Sequence, residues 1–207
     1  MSIRGAIFDL DGTLVDSRLD FEAMRREMEL PDGLPILEAI DRLPREAAER
    51  CWRILTEHEL AGAERATAYP GVADFLRRLT LADVHRAVFT RNSRPVTLAT
   101  LANVKLTFEG IVCREDGPVK PDPAAIHHIC RGWNIQPAEC VVFGDHRFDV
   151  EAARAAGAHA VLFTGSGEPS GLVSDDLADL VLASYEDPKG FWAWKRQIDL
   201  GHADGSC

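Results

Sequence analysis

Asp9 and Asp11 stand two residues apart in Asp9-Leu-Asp-Gly-Thr13, directly after the apolar run Gly5–Phe8. On an extended segment, residues i and i+2 point the same way, so both carboxylates project together from the end of that run. Carboxylates held this close raise one another's pKa unless positive charge lies between them. A helix-loop-helix calcium site is excluded, because the sixth position is Leu14 rather than Gly and the twelfth is Asp20 rather than Glu. Three further polar clusters follow apolar runs or precede a helix. Ala87–Phe89 is followed by Thr90, Arg91 and Asn92, which supply a hydroxyl, a guanidinium and an amide. Lys120 precedes Pro121-Asp-Pro123, whose prolines hold the chain extended ahead of the next helix. Cys140–Phe143 leads into Gly144-Asp145-His-Arg-Phe-Asp149, and two carboxylates four apart at a strand-to-helix junction can face one point. Four carboxylates with one Lys repel one another. A divalent cation resolves this, and an all-oxygen donor set favours Mg²⁺. Such a cation beside Lys120 makes a receptacle for a phosphoryl group, with the remaining carboxylate chemistry divided between a nucleophile and a proton carrier.

These clusters meet only if the apolar runs are parallel strands. Gly5–Leu10, Ala87–Phe89, Gly110–Cys113, Cys140–Phe143, Ala160–Phe163 and Leu180–Ala183 lack polar alternation, as strands covered on both faces do. Helical spacing lies between them. Val72, Phe75, Leu76 and Leu79 form one stripe, Val96, Leu98, Leu101 and Val104 a second, and Ala124–Cys130 and Val150–Ala156 two more, the last closed by Gly157. The alternation predicts an α/β fold, a doubly wound parallel sheet with helices on both faces. About 55 residues without strand signals interrupt it after the first strand, far beyond an ordinary connection. Phe21, Met24 and Met28, then Ile36, Leu37 and Ile40, then Cys51, Trp52 and Leu55 mark three amphipathic helices there. The chain therefore divides into an α/β core of residues 1–15 and 70–200, a small all-helical cap of residues 16–69, and a flexible tail of residues 201–207. The insertion leaves the sheet where open α/β sheets bind ligands, so it is expected to cover the site. Phe21, Met24, Met28 and Trp52 are expected to form the cap's own core.

The four clusters, in this order and spacing, resemble the motifs of the haloacid dehalogenase-like (HAD) hydrolase superfamily: Asp9-x-Asp11-Gly-Thr-Leu-Val-Asp-Ser17, Thr90, Lys120-Pro and Gly144-Asp145-x-x-x-Asp149. The insertion's position is similar to the helical cap of the phosphoglycolate phosphatase-like branch, on a Rossmann-like core. The resemblance implies a Mg²⁺-dependent phosphatase. Asp9 would attack phosphorus to form an aspartyl-phosphate, and Asp11 would protonate the leaving oxygen and then activate water. Thr90 would hydrogen-bond the phosphoryl oxygens, and Lys120 would offset charge on Asp9 and the phosphate. Mg²⁺ would be held by Asp9, the main-chain carbonyl of Asp11 and Asp145, with Asp149 at or just outside its shell.

Within that superfamily, Asp11 argues against haloacid dehalogenation, and the absence of Lys from residues 16–69 closes the Schiff-base route of the phosphonatases. A phosphosugar mutase is a remaining alternative, although its Arg-containing cap segment is not found. A phosphoacceptor module similar to receiver domains is another, opposed by the second Asp and the insertion. Two positions depart from the family pattern. Arg91 follows Thr90, with Asn92 one place later, and it either recognises a second anionic group or pairs with a carboxylate. Substrate binding is assigned to Thr90, Arg91, Asn92 and Lys120. His146 follows Asp145 and is read as a local hydrogen-bonding residue at a helix start.

The charge balance narrows the partners. Thirty-three acidic against 23 basic residues give a net charge of −10, which offers nucleic acid or anionic lipid no attraction. The expected partner is a small phosphorylated metabolite. Five scattered cysteines without a C-x-x-C pair predict neither a disulfide framework nor a zinc site. The first apolar run meets Asp9 too early for a signal peptide, and no apolar run is long enough to span a membrane, so the expected location is the cytoplasm. Only four of the basic residues are Lys, which draws attention to where Lys120 sits.

Overall fold

A computed structural model describes residues 2–165 and 177–201. Its centre is a six-stranded, all-parallel sheet in the order β5-β4-β1-β6-β7-β8. The strands are β1 (Gly5–Phe8), β4 (His85–Phe89), β5 (Gly110–Val112), β6 (Cys140–Gly144), β7 (His159–Phe163) and β8 (Leu180–Leu182). Each corresponds to one of the unalternated apolar runs, and the reason is visible in the packing. Ala6, Phe8, Val88, Val141, Phe143 and Val161 face one layer, built on α4 (Val72–Leu81), α5 (Arg94–Val104) and α8 (Lys189–Leu200). Their neighbours Ile7, Ala87, Phe89, Val142 and Ala160 face the other, built on α6 (Ala124–Trp133) and α7 (Arg147–Ala156). Both faces are apolar because both are covered. Phe8 stacks on Phe143 with centroids 4.6 Å apart and meets Phe75 of α4 edge-on at 6.4 Å, which ties β1, β6 and α4 together.

The stripe Val72, Phe75, Leu76 and Leu79 is fully buried, and Gly157 caps α7 in the left-handed region with φ +75°. The second stripe needs correction. In α5 the buried residues are Val96, Thr97, Thr100 and Leu101, while Leu98 is 49% exposed. Leu98 lies two residues, and so roughly 200° around the helix, from Val96.

Between β1 and α4 lie α1 (Phe21–Glu27), α2 (Ile36–Ile40) and α3 (Arg45–Arg65). Met24, Met28, Ile40, Cys51 and Leu55 form a separate apolar core there, with Trp52 packed against it. Phe21 does not join them and is 56% exposed. Two short strands that the sequence does not signal, β2 (Val15–Asp16) and β3 (Thr67–Ala68), pair antiparallel and bracket the helices as a neck. The expected tail falls outside the described residues except for Gly201, which ends α8. Cys51, Cys113, Cys130 and Cys140 are free and buried. Among the described residues no helix is long and apolar enough to cross a membrane.

Candidate active site

The order of the sheet brings the chemistry together. β1 lies between β4 and β6, so the residues that follow these three strands, Asp9, Thr90 and Asp145, emerge side by side. The winding reverses direction at β1, the switch point where such sheets open a crevice. Asp9 is still tied to the sheet through its N–H to the Phe143 carbonyl (2.9 Å), and Thr90 through its N–H to the Val112 carbonyl (3.0 Å). Two glycines make the convergence possible. Gly12 has φ +78°, and a Cβ there would lie 2.3 Å from Asp145 Oδ2. A Cβ on Gly144 would lie 2.1 Å from the Cβ of Asp149. Neither position accepts a side chain while the carboxylates stay where they are.

Lys120 is 3% exposed and donates from Nζ to Asp9 Oδ1 and to Asp149 Oδ1, the latter at 2.6 Å. Burial alone would lower its pKa, but Asp149 and Asp9 outweigh that and hold the ammonium above its ordinary value. The carboxylates respond in the opposite sense. Burial pushes Asp9 well above the usual range; Lys120 opposes this, while Asp149 and Asp145 add to it. Burial and then the Asp149 charge push Asp145 up to about 7, although Thr13 Oγ1 donates to its Oδ1 at 3.1 Å. One ammonium therefore faces three carboxylates whose ligand oxygens lie within 4.8 Å of one another. An added hard dication fits this donor set, which is all oxygen and short of positive charge.

Asp11 sits apart from that group. Asn92 Nδ2 donates to its Oδ2, and burial raises its carboxyl above the usual carboxylate range. The Thr90 side chain accepts from the Asn92 N–H at 3.1 Å, which fixes the hydroxyl next to the amide. His146 accepts the Phe148 N–H at Nδ1 (3.2 Å), and its own N–H donates to Asp149 Oδ2 (3.1 Å), a capping arrangement at the start of α7. It caps α7 locally, as expected, and it also lines the cleft.

These residues line a cleft of about 520 Å³ between the sheet edge and the inserted helices. Arg91 lines it too, but its guanidinium is engaged. Nη2 donates to both carboxylate oxygens of Glu38 in α2 (2.8 and 2.7 Å), Nη1 donates to the Lys120 carbonyl (2.5 Å), and the group lies 4.9 Å over the Phe148 ring. Phe21, expected in the helical core, instead lines the cleft. Spacing alone passes over Glu38, and it also passes over Glu59 of α3, which pairs with Arg114 at 2.7 Å. Glu59 did leave a signal. Cys51, Leu55 and Glu59 follow one another at intervals of four, so a carboxylate occupies the third position of an apolar stripe.

The family model for haloacid dehalogenase-like hydrolases matches residues 3–157. The chain belongs to this family. A haloacid dehalogenase-like hydrolase domain-containing protein of Arabidopsis thaliana is 30% identical, covering 80% of this chain and 72% of that one. A phosphoglycolate phosphatase of Pseudomonas putida is 33% identical, covering 89% of this chain and 80% of that one. A β-phosphoglucomutase from Clostridium difficile superposes with a TM-score of 0.76 over 97% of this chain and 100% of its own, at 17% identity. The last likeness shows the fold shared by HAD-like hydrolases and carries no substrate.

Proposed function

We propose that this HAD-like hydrolase is a Mg²⁺-dependent phosphatase that hydrolyses a small phosphomonoester through an aspartyl-phosphate on Asp9. The observation that supports this most directly is the separation of two kinds of carboxylate within one cleft. Asp9 is held by Lys120 in the charged group, while Asp11 stands outside it, hydrogen-bonded to Asn92.

In this reading, Asp9 attacks phosphorus and the ester bond breaks. Asp11, whose carboxyl is raised by burial towards the protonated form, donates a proton to the leaving oxygen. It then accepts a proton from the water that cleaves the Asp9 acyl phosphate. Lys120 offsets charge on Asp9 and on the phosphoryl oxygens, and Thr90 and Asn92 supply hydrogen bonds beside them. Asp9, the Asp11 carbonyl and Asp145 would hold Mg²⁺, with Asp149 next to them already engaged by Lys120 and the His146 N–H. When bound, Mg²⁺ supplies the positive charge that this carboxylate group lacks and that a transferring phosphoryl group requires. The proposed partner is a small phosphorylated metabolite of the cytoplasm. The Pseudomonas putida relative, a phosphoglycolate phosphatase, is consistent with this class of substrate.

The test is release of inorganic phosphate from a panel of phosphate esters, with Mg²⁺ and then with a chelator. Turnover that needs Mg²⁺ is expected. A stable phosphorylated chain without turnover would assign a phosphoacceptor module instead, and interconversion of sugar phosphates without release would assign a mutase.

A further inference from the structure

The Glu59 carboxylate is 5% exposed, yet it lies on the wall of the cleft that contains Asp9 and Asp11. Its Oε1 accepts from Arg114 Nη1, whose guanidinium is fixed 5.1 Å over the Trp52 ring. Its Oε2 is buried and accepts no hydrogen bond. A buried carboxylate oxygen without a donor is costly, and here the residue that carries the deficit lines the space reserved for substrate. Burial pushes the Glu59 carboxyl up to about 7 against the pull of Arg114, and Asp11 is close enough to add to the shift.

The surroundings of Oε2 select what could complete it. Arg114 already supplies the positive charge, so a second cation would be repelled by the guanidinium, and an anion would be repelled by the carboxylate. A neutral donor suits both. Of the three arginines that line the cleft, Arg91 is paired with Glu38 and the Lys120 carbonyl, Arg25 donates to the Pro31 and Leu34 carbonyls, and Arg18 lies 3.9 Å from Asp16 with its side chain turned largely to solvent, so none is held free to meet a substrate carboxylate.

We propose that Glu59 Oε2 accepts a hydrogen bond from a hydroxyl on the leaving group, so that the substrate is a hydroxylated phosphomonoester, a polyol or sugar phosphate, rather than an alkyl or carboxylated one. This rests on the phosphatase reading of the cleft and adds the class of substrate. Glu59 is a specificity residue that takes no part in bond breaking.

The test measures binding of glycerol 1-phosphate, propyl phosphate and phosphoglycolate by calorimetry, with Mg²⁺ present, to the full chain carrying Asp9→Asn so that turnover does not interfere. At about pH 8.5, above the raised Glu59 value of about 7, glycerol 1-phosphate is expected to bind at least about tenfold more tightly than propyl phosphate, as suits a hydrogen bond to a charged acceptor. Adding Glu59→Leu should bring that ratio close to one, and adding Glu59→Gln, which is nearly isosteric and retains a contact with Arg114, should give an intermediate ratio. Adding Arg114→Ala instead loosens the helices while leaving Glu59 in place. A purely structural role would weaken all three ligands alike in the Glu59 and Arg114 variants and leave the ratio unchanged, which would overturn the proposal. Equal binding of the first two ligands by Asp9→Asn alone, or tightest binding of phosphoglycolate, would also overturn it. Phosphate release by the unmutated chain is read separately. Its absence with every ester counts against the phosphatase reading, while the binding ratio still decides the role of Glu59.

Discussion

The floor of the cleft and its roof are built on different principles. On the floor, Asp9, Thr90 and Asp145 follow three adjacent strands; backbone hydrogen bonds tie Asp9 and Thr90 to the sheet, and the Thr13 hydroxyl holds Asp145. The roof has its own apolar core around Met24, Met28, Ile40, Cys51 and Leu55. Its ties to the floor include the β2–β3 neck, the Arg91–Glu38 and Arg114–Glu59 pairs, and the Asn103 amide of α5, which donates to the Ala63 and Ala66 carbonyls (both 3.0 Å). A rigid floor suits a reaction that depends on charges held in place. A separately packed roof lets substrate choice change without disturbing that geometry. Substitutions in the floor should therefore stop the reaction for every ester, whereas substitutions in the roof should change which ester is preferred.

The largest effect is expected at the nucleophile. Asp9→Asn keeps the shape but removes the attacking carboxylate, and phosphate release should fall more than about a thousandfold for all esters. Unfolding free energy should change by less than about 1 kcal/mol, because the amide oxygen still accepts from Lys120 and the buried anion is gone. Retained activity would show that the floor does not act as described. Lys120→Met comes next. It leaves Asp9 and Asp149 buried without their shared ammonium, a loss of about 3–5 kcal/mol in urea unfolding. Added Mg²⁺ should recover part of that loss, which a cavity or packing defect would not allow.

The same contrast explains how much was legible in the sequence. Floor residues lie within a few positions of an apolar run, so strand ends at Phe8, Phe89 and Gly144 locate Asp9, Thr90 and Asp145 without knowledge of tertiary contacts. Roof contacts join distant positions. Nothing near Arg91 points to Glu38, which is 53 residues earlier, and nothing near Arg114 points to Glu59, 55 residues earlier. Phe21 was misplaced for a related reason. Its spacing from Met24 and Met28 fits one helical face, but Phe21 is the first residue of α1, where the chain enters the cleft rather than the helical core. The β2–β3 neck has two residues per strand, too few to produce a periodic signal.

A smaller effect should appear in the pH dependence of the roof. The Glu59 carboxyl is raised to about 7 from 4.5, with burial as the main cause, Arg114 opposing, and Asp11 and Glu115 adding to it. A carboxyl raised on folding stabilises the folded state fully below its unfolded pKa, and that contribution is lost as pH rises through the folded value. The unmutated chain should therefore lose stability relative to Glu59→Gln between about pH 4.5 and 7, by up to about 3 kcal/mol. Urea unfolding of both chains across this range measures the difference. A flat difference would mean that Oε2 already has a donor, and that the roof is complete as it stands.

A small stability effect is also expected at the Arg91–Glu38 pair, where the two regions meet. Its geometry is bidentate, but the side chains are 20% and 35% exposed, so solvent screens the attraction and ordering two long side chains offsets part of it. Glu38→Gln should cost less than about 1 kcal/mol in unfolding free energy. Its effect on selection should be larger than its effect on folding. Without the Glu38 charge, Arg91 becomes available to a carboxylate in the cleft, and kcat/KM for phosphoglycolate should rise about two- to fivefold relative to glycerol 1-phosphate. Thr90, Lys120 and Asp9 are not moved by this change, so kcat for the better substrate should stay nearly constant. A stability loss above about 3 kcal/mol with unchanged selectivity would show that the pair fastens the roof to the floor, and that Arg91 belongs to the scaffold rather than to the choice of substrate.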